Sequence, residues 1–118
     1  MKQLATLLGA GALALAAFAG TGSAAPNALP TPCGRIAGPT VHWGGRAMNH
    51  YIVGAFHGAT CAFARLWVGR ILQESTPNGS ISRPKGPAGW SCIARATGHI
   101  AFNGSCRVGL KSFSWGAA

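Results

Sequence analysis

Residues 89–115 read GWSCIARATGHIAFNGSCRVGLKSFSW. Three short strand-like runs, Trp90–Arg95, His99–Asn103 (continuing to Cys106) and Lys111–Trp115, are punctuated by Gly98, Asn103-Gly104 and Gly109. Short runs divided by turn formers read as strands joined by tight hairpins, so this stretch predicts a small antiparallel β-meander. With a side-chain period of two, Phe113 and Trp115 share one face with Lys111, and Ser112 and Ser114 point the other way. Cys92 and Cys106 can then sit on neighbouring strands.

Immediately upstream, Ser75–Gly89 (STPNGSISRPKGPAG) has no apolar period and collects turn formers, which predicts a mobile surface loop. Before it, Thr60 is placed to cap a helix running from Cys61 to about Glu74. At about 100° per residue, Cys61, Ala64, Trp67, Val68, Ile71 and Leu72 fall on one face. Ala62, Gly69, Arg70 and Gln73 fall on the other, with Arg65 at the boundary. This is an amphipathic helix made to dock on a small core. Gly69 costs it about 1 kcal/mol relative to Ala, which points to a close contact or a marginal helix. Further back, Thr40–Trp43 reads as a short strand broken by Gly44-Gly45. His50–Phe56 reads as another, with Gly54 as a bulge or a point of close approach. Residues 25–39 hold four of the seven prolines and read as an extended N-terminal arm tied down by Cys33. The expected organisation is a signal peptide (1–24), the arm (25–39) and one disulfide-stabilised α+β domain (40–118).

The export signal rests on Lys2, the uncharged Leu/Ala/Gly run from Leu4 to Ala19, and the small residues Gly22-Ser23-Ala24. Cleavage is expected after Ala24, because a cut after Ala25 would leave Pro26 first. An uncleaved membrane anchor is the competing reading, but the run is rich in Ala and Gly rather than Leu, Ile and Val. The chain's 48% hydrophobic content is inflated by this leader, and the glycines and prolines that follow it point to loops and turns, so the core must be modest. Export makes Cys33, Cys61, Cys92 and Cys106 a disulfide framework. Three pairings are open. Cys33–Cys61 with Cys92–Cys106 is preferred because neighbouring strands can hold the second pair, although spacing alone does not decide it.

Charge is the second statement. Arg35, Arg46, Arg65, Arg70, Arg83, Lys85, Arg95, Arg107 and Lys111 face one acid, Glu74, and loss of Lys2 with the leader takes the net charge from +9 to +8. Such a balance raises affinity for any polyanion, and the excess of Arg over Lys favours bidentate anion contacts. Arg46, Arg65, Arg70, Arg83 and Lys85 are the candidate anion-binding residues. The single acid excludes paired-carboxylate glycoside hydrolysis and carboxylate-held calcium or magnesium. A Ser-His-acid triad could use only Glu74, and no Gly-x-Ser-x-Gly elbow is present.

Smaller constellations point the same way. His42, His50, His57 and His99 could bind zinc or copper only by converging, and almost no acid is available to orient them. No metal or cofactor is expected. His42, His50, His57, His99, Glu74, Arg65 and Lys85 supply the chemical types of an extracellular ribonuclease, but no familiar motif. Trp67, Trp90 and Trp115 read as core. Trp43, beside Gly44-Gly45 and Arg46, is the candidate ligand aromatic. Asn78-Gly79-Ser80 and Asn103-Gly104-Ser105 match a glycosylation sequon and are read as turns.

Thr60-Cys61-Ala62-Phe63-Ala64-Arg65, then Gly89-Trp90-Ser91-Cys92, then Cys106 and Ser112-Phe113-Ser114-Trp115 together resemble a loose group of small exported actinobacterial proteins of mycobacterial and streptomycete type. The resemblance spans residues 60–115 and leaves out Cys33 and Trp43–His57. It implies secretion and a disulfide-bonded α+β fold, and it carries no catalytic residues. The resulting expectation is a secreted or envelope-associated, basic, monomeric, non-enzymatic interaction module. Its partner would be an anionic envelope or host-surface polymer, with no specific nucleic acid. The alternatives are a cationic toxin or antimicrobial, or a small ribonuclease-like hydrolase.

Overall fold

The computed structural model describes residues 31–118, so the expected export signal and the first part of the arm lie outside the described residues. Six strands and one helix follow in order: β1 (Thr31–Trp43), β2 (Arg46–Phe56), α1 (Cys61–Ile71), β3 (Ile81–Ser82), β4 (Ser91–Thr97), β5 (Ile100–Val108) and β6 (Lys111–Ala117). They form one sheet in the order β1-β2-β6-β5-β4-β3, with every neighbouring pair antiparallel. The architecture is mostly β, and α+β describes it at a coarse level.

The sheet is larger than the C-terminal sequence alone predicts, because the β1–β2 hairpin joins it through β2 and β6. From Thr31 onward the expected arm is β1 itself. An edge strand tolerates Pro32 and Pro39 because one row of its N–H groups has no ladder partner to lose. Register shifts between Pro32 and Arg35, and between Ala37 and Val41, absorb Gly34 and the Gly38-Pro39 pair. The expected bulge at Gly54 is absent: Gly54 pairs regularly with Pro32 and Ser114, and the irregularities lie on β1. Gly44 and Gly45, with φ of +61° and +79°, make the two-residue turn that joins Trp43 to Arg46.

Asn103-Gly104 is a strand segment rather than a turn. A Cβ at Gly104 would stand 2.5 Å from the Ile93 carbonyl oxygen and 2.8 Å from the Trp115 ring. Glycine is therefore needed here for close approach and not for a reversal. Asn78-Gly79 is a turn, as expected.

The Thr60 side chain accepts a hydrogen bond from the Phe63 N–H, capping α1. The helix ends at Ile71, three residues short of Glu74. Its last turn tightens, with the Gln73 and Glu74 N–H groups donating to the Arg70 and Ile71 carbonyls. Ala64, Val68, Ile71 and Leu72 are buried in one cluster with Tyr51, Val53, Ala55, Phe113 and Trp115. Trp115 Nε1 donates to the Ala101 carbonyl at 2.8 Å, so the buried indole is satisfied. A Cβ at Gly69 would meet nothing within 4 Å, so no close contact explains this glycine.

Both disulfides form, Cys33–Cys61 and Cys92–Cys106. The first joins β1 to the start of α1, and the second lies in register across β4 and β5. The segment expected as a surface loop, Ser75–Gly89, is partly built into the fold. It contributes β3, and Thr76, Ser82, Pro84 and Pro87 within it are buried. Glu74 accepts a hydrogen bond from the Lys85 backbone N–H, closing the segment at its base.

Candidate functional site

Strand alternation gives the sheet two unlike faces. On β4, Cys92, Ala94 and Ala96 are buried, whereas Ser91, Ile93 and Arg95 face solvent. The register carries this outer row across the sheet. Ser91 pairs with Arg107, Ile93 with Ser105 and Arg95 with Asn103. On the far side of β5, Arg107 pairs with Ser112, Ser105 with Ser114 and Asn103 with Gly116. At the sheet's other flank, Gly54 and Ile52 of β2 continue the rows of Ser114 and Gly116. The outer face is thus floored by Ser, Gly and Asn, with arginines and isoleucines standing above it.

Two adjoining depressions mark this face. One, of about 470 Å³, is lined by Ile81, Ile93, Arg95, Asn103 and Ser105 among others. The next, of about 360 Å³, is lined by Arg83, Ser91, Ile93, Ser105 and Arg107. Ile93 and Ser105 border both. Glu74, the sole acid of the chain, lines neither depression and is engaged with the Lys85 N–H. Uncompensated guanidinium groups over hydroxyl and amide side chains give the face donors that suit an oxyanion.

Of the five basic residues singled out from sequence, Arg83 alone lines a depression. Arg65 serves the fold: its Nη1 donates to the Cys33 and Arg35 carbonyls at 2.7 and 3.2 Å, clamping α1 to β1. Arg70 lies 4.8 Å from the centre of the Trp67 ring. Arg46 stands at the β1–β2 turn, and Lys85 sits beside Glu74. Arg95 and Arg107 were legible only as charges. Their common phase with Ser91 and Ser105 was in the sequence, but the pairing of β4 with β5 is what makes them one surface.

Trp43 is 49% exposed and rests on Phe102, with ring centroids 5.0 Å apart. It lines neither arginine-bearing depression. Trp90 and Phe63 pack around Phe113, and Trp115 is buried. The histidines occupy separate places: His42 on β1, His50 beside Asn49, His57 after β2, and His99 hydrogen-bonded to the Thr76 carbonyl. Among the described residues, no three of His, Cys, Asp and Glu come together to hold a metal ion. No helix there is long and apolar enough to cross a membrane. Comparison with protein-family models, curated proteins and solved structures returns no match to this chain.

Proposed function

We propose that this chain is an exported, basic, non-enzymatic interaction module that contacts an anionic polymer of a cell envelope or host surface through the outer face of its sheet. The observation that carries the reading is the gathering of Arg83, Arg95 and Arg107 around two adjoining depressions that no acid lines. Arginine offers a planar fork of donors matched to sulfate, phosphate and carboxylate, and its charge persists at every physiological pH. The two disulfides suit an oxidising compartment. The test is retention on immobilised dextran sulfate at physiological ionic strength. Retention that weakens steeply with added salt supports the module, and failure to bind, or binding indifferent to salt, refutes it.

A cationic membrane-active protein is the second reading. It is favoured by two exposed apolar residues at hairpin turns, Trp43 beside Arg46 and Leu110 (82% exposed) beside Lys111. These turns lie beyond opposite ends of the β2–β6 pairing, which runs from Tyr51–Ala117 to Phe56–Ser112. One flat bilayer surface cannot receive both, so the polymer reading is preferred. Leakage of anionic vesicles at micromolar protein would reverse that preference.

A further inference from the structure

Resting on that reading, we propose that the polymer is a linear anionic glycan lying along β4 and β5, with two of its charged groups held on either side of Ile93. Arg95 and Asn103 receive one group, and Arg83, Ser91 and Arg107 receive the other. From Asn103 to Arg107 the strand advances four residues, about 13 Å, so the two groups are separated along the ligand chain. Ile93, 41% exposed between them, offers an aliphatic surface to the C–H face of the intervening sugar. Ser105 borders both depressions and can donate to or accept from a sugar hydroxyl.

The other polyanions fit less well. Single-stranded nucleic acid is held by stacking its bases on aromatic side chains, and neither depression has one. The nearby rings of Trp90, Phe113 and Trp115 are packed against one another on the core side. A bilayer requires a continuous apolar surface, whereas Ile81 and Ile93 stand together among Arg95, Asn103 and Ser105, and Ile52 lies on β2 with Gly116 and Asn103 between. A second copy of this chain would bring the same arginines face to face.

The experiment titrates the oxidised protein with heparin-derived disaccharide, tetrasaccharide and hexasaccharide, beside a single-stranded oligonucleotide and anionic vesicles. Tetrasaccharide and hexasaccharide should each bind at least tenfold more tightly than disaccharide, because only a chain that spans about 13 Å engages both groups at once. Arg95→Gln and Arg107→Gln should each weaken hexasaccharide several-fold and lower the salt dependence, and Arg46→Gln and Arg70→Gln should change neither. Circular dichroism of each variant establishes that it is folded. Equal losses from all four substitutions would overturn the two-group site while leaving a diffusely basic module intact. Tighter binding of oligonucleotide or vesicles through Arg95 and Arg107 would overturn the glycan assignment. Failure of every polyanion to bind would remove both this inference and the function beneath it.

Discussion

Tyr51 is fully buried on β2, and its hydroxyl donates to the Pro39 carbonyl at 2.6 Å. The ring closes the irregular part of β1 from below: a Cβ at Gly38 would stand 2.7 Å from Tyr51 Cε1. Burial raises the phenol's pKa above its ordinary value near 10, because the phenolate would lose its hydration. The folded state then holds this proton more tightly than the unfolded chain does. Its contribution to stability is present below about pH 10 and is lost as pH climbs through the raised folded value. Tyr51→Phe removes both the hydrogen bond and the titration. At pH 7 the variant should be less stable by about 1 kcal/mol, and the gap should narrow above pH 10. Urea midpoints of both proteins from pH 8 to 11 measure this, and parallel curves would refute the assignment to Tyr51.

At the scale of elements, α1 was legible because its signals are local: Thr60 as cap, and apolar residues at helical spacing whose members Ala64, Val68, Ile71 and Leu72 are buried. Of β1 only the Thr40–Trp43 end was legible, because Pro32, Gly34, Gly38 and Pro39 deny the rest a strand pattern, and its place is set by pairing with β2. Gly69 now has a clear reading. A methyl group there meets nothing within 4 Å, so Gly69→Ala should stabilise the protein by about 1 kcal/mol, read as a higher denaturant midpoint. A lower midpoint would reveal a contact that the geometry lacks. The two bridges should differ as well. Loop-closure entropy favours Cys33–Cys61, with its separation of 28 against 14, by only about 0.6 kcal/mol. Burial favours the other: Cys92 and Cys106 are 4% and 0% exposed, and a Cβ at Gly86 would press on Cys92 Sγ. Emptying that site costs packing in addition to the cross-link, typically more than a few tenths of a kcal/mol. Cys92→Ala with Cys106→Ala should therefore destabilise more than Cys33→Ala with Cys61→Ala. The latter pair should free β1 while amide exchange on β4, β5 and β6 stays slow. The reverse order of midpoints would show that anchoring β1 matters more than the sheet centre.

For the molecule as a whole, the basic balance was legible in the residues alone, whereas its layout was not. Arg83, Arg95 and Arg107 are spread along the chain, and no local pattern distinguishes them from Arg46 or Arg70. They become neighbours only when β3 pairs with β4 and β4 with β5. A chain of formal charge +9 that gathers three guanidinium groups on one face stores repulsion in its folded state. Exposed charges are screened over about 10 Å at 0.1 M salt, so added salt should relieve that repulsion first on this face. The unfolding temperature should rise by several degrees between 10 and 150 mM sodium chloride. Arg95→Gln with Arg107→Gln should be more stable than wild type at low salt and show a smaller rise. A ligand that binds only the folded face must stabilise it further, by about 2.7 kcal/mol at a hundred times its Kd. For a domain of this size that is roughly 10 to 20 °C, well beyond the effect of screening. Dextran sulfate at fixed ionic strength should therefore raise the unfolding temperature of wild type strongly and that of the double variant much less. A polyanion that lowers both temperatures is binding the unfolded chain instead, and the arginine face would then be a liability tolerated by the fold rather than a surface used by it.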